Sequence, residues 1–198
     1  MTAPPSAVPH PRLILGSASP RRLELLAQIG IVPDQVRSAD IDETPFKGEL
    51  ARDYVRRIAL SKAEVLDLAP DDALLCADTT VAVGRRILGK PASRAEAGDF
   101  MRLMSGRRHR VLTAIVLRHA GRTRDRLVET TVRMRPIGAD ELETYLDLND
   151  WQGKAGGYAI QGRAAGLVRA LSGSYSGVVG LPLFEVAQLL RGRGYPVP

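Results

Sequence analysis

One cysteine, three histidines and four lysines are all that 198 residues supply of several side chains on which enzyme chemistry is often built. The lone thiol, Cys76, excludes a disulfide framework and fits a reducing compartment, hence a cytoplasmic location. It lies in the apolar run Ala73 to Ala77, where packing is expected rather than reactivity. His10, His109 and His119 are scattered, with no metal-ligand spacing among them. No apolar stretch approaches the roughly 18 residues of a membrane span, so no membrane partner is expected. Internal repeats and low-complexity linkers are missing too. Residues 1–11 hold four prolines and no long apolar core, which reads as a loose tail and not as a signal peptide.

What is present is arginine. The net charge is +6, and 24 of the 28 basic residues are arginines. So lopsided a ratio points to coding bias, and it makes Lys47, Lys62, Lys90 and Lys154 stand out. A basic excess favours an anionic partner, with nucleic acid, nucleotide and acidic lipid all open. Ten arginines fall between Arg102 and Arg135. They are spread over two expected strands and a turn with only His109 and His119 as aromatic neighbours, so a solvated face is the simpler reading.

With 44% hydrophobic and 25% charged residues, the chain can bury a core as one large domain or two small lobes. Leu13 to Leu15 reads as a buried strand. A helix follows, with Ser19 as N-cap, Pro20 at its first position and Gly30 at its exit. A second helix is expected from Leu50 to Leu66, then an apolar strand from Ala73 to Val83. Ser93 and Glu96 form a capping box for a third helix that stops before Gly106. Val111–Leu117 and Leu127–Val132 predict a hairpin turning near Gly121. Asp140 to Leu148 predicts a short helix, Tyr158–Ile160 and Leu167–Leu171 short strands, and Leu183 to Leu190 a last helix. Alternating and paired elements together imply an α/β protein with a mixed sheet, not a pure Rossmann topology.

Three places carry candidate chemistry. In Gly16-Ser17-Ala18-Ser19-Pro20-Arg21-Arg22, two arginines occupy a first helical turn, where the dipole disfavours each by roughly 0.3–1 kcal/mol. A bound phosphate reverses that sign, because backbone N–H groups, hydroxyls and guanidinium forks then converge on it. Asp78 interrupts a buried strand, which is costly unless the carboxylate is paired, hydrogen-bonded or on a metal. Asp42 and Glu43, in the loop before Pro45, are candidates for the same site. Lys62 shares an apolar helix row with Ile58 and Leu66, so it either snorkels to the rim or reaches a buried anion. Lys90, between Gly89 and Pro91, belongs to a loop.

Two decoys fail. Gly84 to Pro91 spells a Walker-A pattern as far as its lysine, but proline then replaces the hydroxyl residue that holds magnesium. Gly173 to Gly177 carries tyrosine where a nucleophile elbow needs serine. What remains suits a polyphosphate: cations, a few carboxylates, and hard oxygen ligands for Mg2+ or Mn2+. The implied chemistry is metal-assisted hydrolysis of a phosphoanhydride.

The strings SASPRR, IDE at 41–43, SKA around Lys62, ADTTV at 77–81, GKP at 89–91, GYAIQG at 157–162 and VVGLPL at 178–183 resemble, in this order, the Maf nucleotide pyrophosphatases. The match runs from Leu13 to about Gly192. The resemblance implies one domain over residues 12–198, two lobes around a mixed sheet with the substrate cleft between them, related to the inosine-triphosphate pyrophosphatases. It also implies a homodimer, a nucleoside triphosphate substrate and a divalent cation. By motif match, Asp78 is the base that activates water, or a metal ligand, and Glu43 assists the metal or the water. Ser17, Arg21, Arg22, Lys62 and Lys90 fall where the family holds the triphosphate. Thr79 and Gln161 look like the branch acting on dTTP and UTP, and with Arg21 they are the positions expected to set base choice. The branch preferring 7-methyl-GTP carries Ser-Asp-Gln at the first site and a Ser-Glu-Gly pattern at the second. A nucleic-acid-binding or cell-division regulator is the reading from another class. Gly16 stands where many relatives have alanine, a change expected to be without effect.

Overall fold

The computed structural model describes residues 10–197, so most of the expected N-terminal tail, residues 1–9, lies outside the described residues. The chain builds a seven-stranded mixed sheet. Strand β1 (Arg12–Leu15) leads through helix α1 (Pro20–Gln28) to a two-residue strand β2 (Gln35–Val36). Helix α2 (Ala51–Glu64) then crosses to the central strand β3 (Asp72–Val83). After β4 (Arg86–Leu88) come α3 (Arg94–Met104) and the long hairpin β5 (Arg108–His119) and β6 (Arg122–Met134). The rest is α4 (Ala139–Asp147), two 3-10 turns, β7 (Val168–Ser172), α5 (Tyr175–Val179) and α6 (Leu183–Arg191). The order across the sheet is β2-β1-β3-β5-β6-β7, with β4 also on β3. β1 is parallel to β2 and β3, and the other pairs are antiparallel.

Side chains alternate across this sheet with period two, and each face has its own helices. Leu13, Leu15, Leu75, Ala77 and Ile115 meet α1 and α6 through Leu25, Leu26, Val186 and Leu190. Ile14, Leu74, Cys76, Leu112 and Val116 meet α2 through Val55, Ile58, Ala59 and Ala63. A third cluster joins Val81, Val111, Val132 and Met134 to α3 and α4 through Phe100, Met101, Met104 and Leu146.

The main expectations stand, with corrections at the polar and glycine-rich parts. The hairpin is longer than its apolar pattern, because Arg122, Thr123 and Arg124 pair by backbone register alone. Its turn places both Ala120 and Gly121 at positive φ, 48° and 68°, the geometry that matches strand twist. Tyr158–Ile160 is not a strand but a segment between the two 3-10 turns. The Walker-like stretch is a turn leading into β4. Arg118 donates to the carbonyls of Ala63, Glu64 and Leu66, closing the C-terminal end of α2.

Gly16 is a further correction. Its N–H donates to Leu75 O at 2.8 Å, so the backbone is tied down. A Cβ there would lie 2.3 Å from Cys76 Sγ and 3.1 Å from Leu74 Cδ1. Cys76, fully buried, fills the space an alanine methyl would need. Gly16→Ala is therefore expected to lower the urea midpoint by about 1–3 kcal/mol of stability. The same change on a Cys76→Ala background should cost little. If the two substitutions prove simply additive in denaturant titrations, the steric account fails.

Candidate functional site

β1 pairs with β3 only as far as Leu75, and β4 pairs with it only from Val81 onward. Among the described residues no strand covers that edge from Cys76 to Thr80. The opposite edge is held by β5 throughout. A cleft of about 370 Å³ opens into the gap, within the range of small-molecule sites. Ser17, Arg21, Arg22, Glu43, Lys62, Asp78, Thr79, Lys90 and Gln161 all line it. The structure thus brings together every site residue expected from the family resemblance. Because strand side chains alternate, Asp78 faces α2 while Thr79 faces α1 and α5.

On the α2 side, Lys62 and Asp78 are 9% and 6% exposed. The Lys62 ammonium donates to Asp78 Oδ1 at 2.8 Å and contacts Glu43 Oε1 at 2.6 Å. Lys62 therefore reaches a buried anion instead of snorkelling. Lys90, largely exposed, approaches the other Glu43 oxygen at 3.6 Å. Burial pushes the Asp78 carboxyl up from its usual range, and the opposing pull of Lys62 and Arg22 does not cancel it. Partial burial works against the Glu43 charge too, but Lys62 and then Lys90 outweigh it and hold that carboxyl below the usual range. Two carboxylates sharing one lysine are thus driven in opposite directions by their unequal burial. The Glu43 loop is held by α2, whose Tyr54 hydroxyl donates to the Glu43 carbonyl at 3.0 Å.

At the start of α1, Ser17 Oγ accepts from Arg22 at 2.8 Å and from the Ser19 N–H at 3.2 Å. With both lone pairs engaged, the Ser17 hydroxyl has only its hydrogen left to offer. Ser19 does occupy the N-cap position, yet its side chain makes no capping bond. Arg22 is buried, and its Nε donates to the Gly180 carbonyl at 2.9 Å. Gly180 sits at φ 138°, a backbone state that side chains rarely adopt. The VVGLPL motif therefore serves partly to aim an arginine. Arg21 lines the cleft half-exposed and has no protein partner among the described residues.

Asp42 is a correction. It is exposed, caps its own turn by accepting from the Thr44 N–H at 2.8 Å, and does not line the cleft. The rare lysines were a better guide: Lys154 joins Lys62 and Lys90 at the cleft, and only Lys47 does not. The motifs alone gave no sign of Tyr54, nor that Val81, Val178 and Val179, which they contain, build an apolar wall with Val111. Tyr158 is also on that wall. Its hydroxyl is 2.7 Å from His109 Nε2, and burial lowers the His109 pKa to about 4. His109 is a buried neutral prop, not part of a basic surface.

Cations and a helix start, a shielded carboxylate and an apolar wall thus share one cleft. The description "Maf-like protein" matches over residues 12–193. A dTTP/UTP pyrophosphatase of Roseobacter denitrificans is 59% identical over 92% of this chain and 97% of its own. Those of a Ruegeria species and of Caulobacter vibrioides are 55% and 51% identical, each over 93% of this chain and 95% and 97% of their own. Agreement of that extent, from the first strand to the last helix, makes the chain a member of the Maf family.

Proposed function

We propose that this chain hydrolyses dTTP and UTP to the monophosphate and pyrophosphate. The observation that carries this reading is the buried Lys62–Asp78 pair at the mouth of an arginine-lined helix start, in one cleft with an apolar wall. The names of the similar pyrophosphatases point the same way.

In the reaction, water attacks the α-phosphorus and the bond to the oxygen bridging α and β breaks. That oxygen leaves with pyrophosphate. Asp78, whose carboxyl burial pushes above its usual range, accepts the proton of the attacking water. Lys62 holds Asp78 and Glu43 in register, and its charge favours the anionic form of both. Ser17, Arg21, Arg22 and Lys90 bind the phosphate oxygens and offset the charge that gathers on the departing pyrophosphate.

The donor set fits Mg2+ or Mn2+. Asp78 and Glu43 offer hard oxygens that meet at the same Lys62 ammonium, and such ions are usually held by one or two carboxylates with phosphates completing the shell. A bound ion would add Lewis-acid stabilisation of the phosphoryl oxygens. The same reading carries a homodimer in the cytoplasm.

The first test is pyrophosphate release from dTTP, UTP, CTP, GTP and 7-methyl-GTP with either metal. Asp78→Asn should lower turnover of dTTP by about 10²–10⁴-fold while leaving the circular dichroism spectrum unchanged. A variant with ordinary turnover would end the assignment of Asp78 as base. A protonated Asp78 cannot accept a proton, so activity should fall as pH drops through its pKa. Lys62 favours the anion, so Lys62→Met should shift that acid limb to higher pH as well as slowing the reaction. An acid limb that stays in place or moves lower in the variant contradicts the scheme.

A further inference from the structure

Resting on that reading, we propose that Thr113, a residue outside the cleft lining, is a positioning residue. It fixes the Thr79 hydroxyl as an acceptor and so selects bases with an N–H at the edge they present, the imide of thymine or uracil, over cytosine. The argument is one of hydrogen-bond direction. Thr113 Oγ1 lies 2.7 Å from the Gly177 carbonyl oxygen and 2.9 Å from Thr79 Oγ1. A carbonyl only accepts, so the single Thr113 hydrogen goes to Gly177. The bond between the two threonines must then be donated by Thr79. With its hydrogen committed to a buried oxygen, Thr79 can show the cleft lone pairs only.

Each link is held from behind. Thr113 is 1% exposed and stands directly opposite Thr79 in the β3–β5 register. Gly177 belongs to α5, where the helix-continuing N–H of Leu181 turns instead to Ser176 O. The Gly177 carbonyl is thereby left for a side chain, and Thr113 takes it. The Ser174 hydroxyl accepts from the Gly177 N–H at 3.0 Å and fixes the start of the turn.

Thr79 also stands on the apolar side of the cleft. Val81 follows it on the same face, Val111 pairs with Val81 across the sheet, and Val178 and Val179 lie alongside. A flat ring belongs there, while Asp78 and Lys62 point the opposite way. Gln161 can offer a carbonyl or an amino group to a base edge, so it alone does not separate uracil from cytosine. A hydroxyl of fixed polarity does. It accepts from the N3–H of uracil, whereas at cytosine N3 two lone pairs face each other.

The test compares kcat/KM for UTP and CTP in the wild type, Thr113→Val and Thr113→Ser. Wild type should favour UTP strongly. Thr113→Val frees the Thr79 hydroxyl to rotate, and the UTP:CTP ratio should narrow about tenfold, mainly through better use of CTP. Thr113→Ser keeps the relay and should keep the ratio. A measurement on the unaltered protein runs beside these: 3-deaza-UTP, with C–H in place of N3–H, should lose most of the advantage of UTP over CTP. An unchanged ratio in Thr113→Val, equal narrowing in Thr113→Ser, or 3-deaza-UTP used as well as UTP would each overturn the relay. Wild-type protein that releases pyrophosphate from no nucleotide overturns the underlying reading instead, a result these ratios cannot be confused with.

Discussion

The central strand runs for five residues with a partner on one edge only, and the site depends on that gap. β1 pairs as far as Leu75 and β4 only from Val81, opposite Leu88, so among the described residues no strand covers that edge from Cys76 to Thr80, and Asp78 and Thr79 reach the cleft there. The same strand stays rigid because β5 pairs with it along nearly its whole length. A rigid strand beside a gap can present neighbouring residues on both of its faces to one cavity. Asp78 and Thr79 use this, one turned toward charge and the other toward apolar surface. The start of α1 enters from the third side, with Gly16 tied to Leu75 as the chain leaves the sheet.

Electrostatics then separates the roles within the cleft. Lys62 is the only ammonium there with so little exposure, and it serves two carboxylates whose burial differs. The more deeply buried one is pushed toward neutrality and the more exposed one toward its anion. One cation thus holds two carboxylates of opposite tendency, each in direct contact with it. Hydroxyl groups follow a similar division. Ser17 is saturated as an acceptor by Arg22 and Ser19, and so can meet the cleft only as a donor.

Much of this was legible in the sequence, for physical reasons. Asp78 announced itself by interrupting an apolar strand, and Lys62 by sharing a row with Ile58 and Leu66. Burying charge is costly enough that such breaches of pattern mark function or pairing. Pro20, Gly30 and the Ser93–Glu96 pair located helix ends because capping is local chemistry. Other features depend on what lies far along the chain. Glu43 and Asp42 are neighbours in the same loop, and only the position of Lys62 separates the site residue from the turn cap. β4 and α5 are too short to show a period. The conflict between an alanine at 16 and the sulfur at 76 spans sixty residues, and no local rule reports it.

The wall that includes Tyr158 has a consequence for how the protein answers acidity. His109 sits behind the Tyr158 ring with a pKa near 4, and burial raises the Tyr158 hydroxyl well above its ordinary value. Neither group changes charge across the range in which cells live. The apolar wall of the cleft therefore keeps its neutral character over that range.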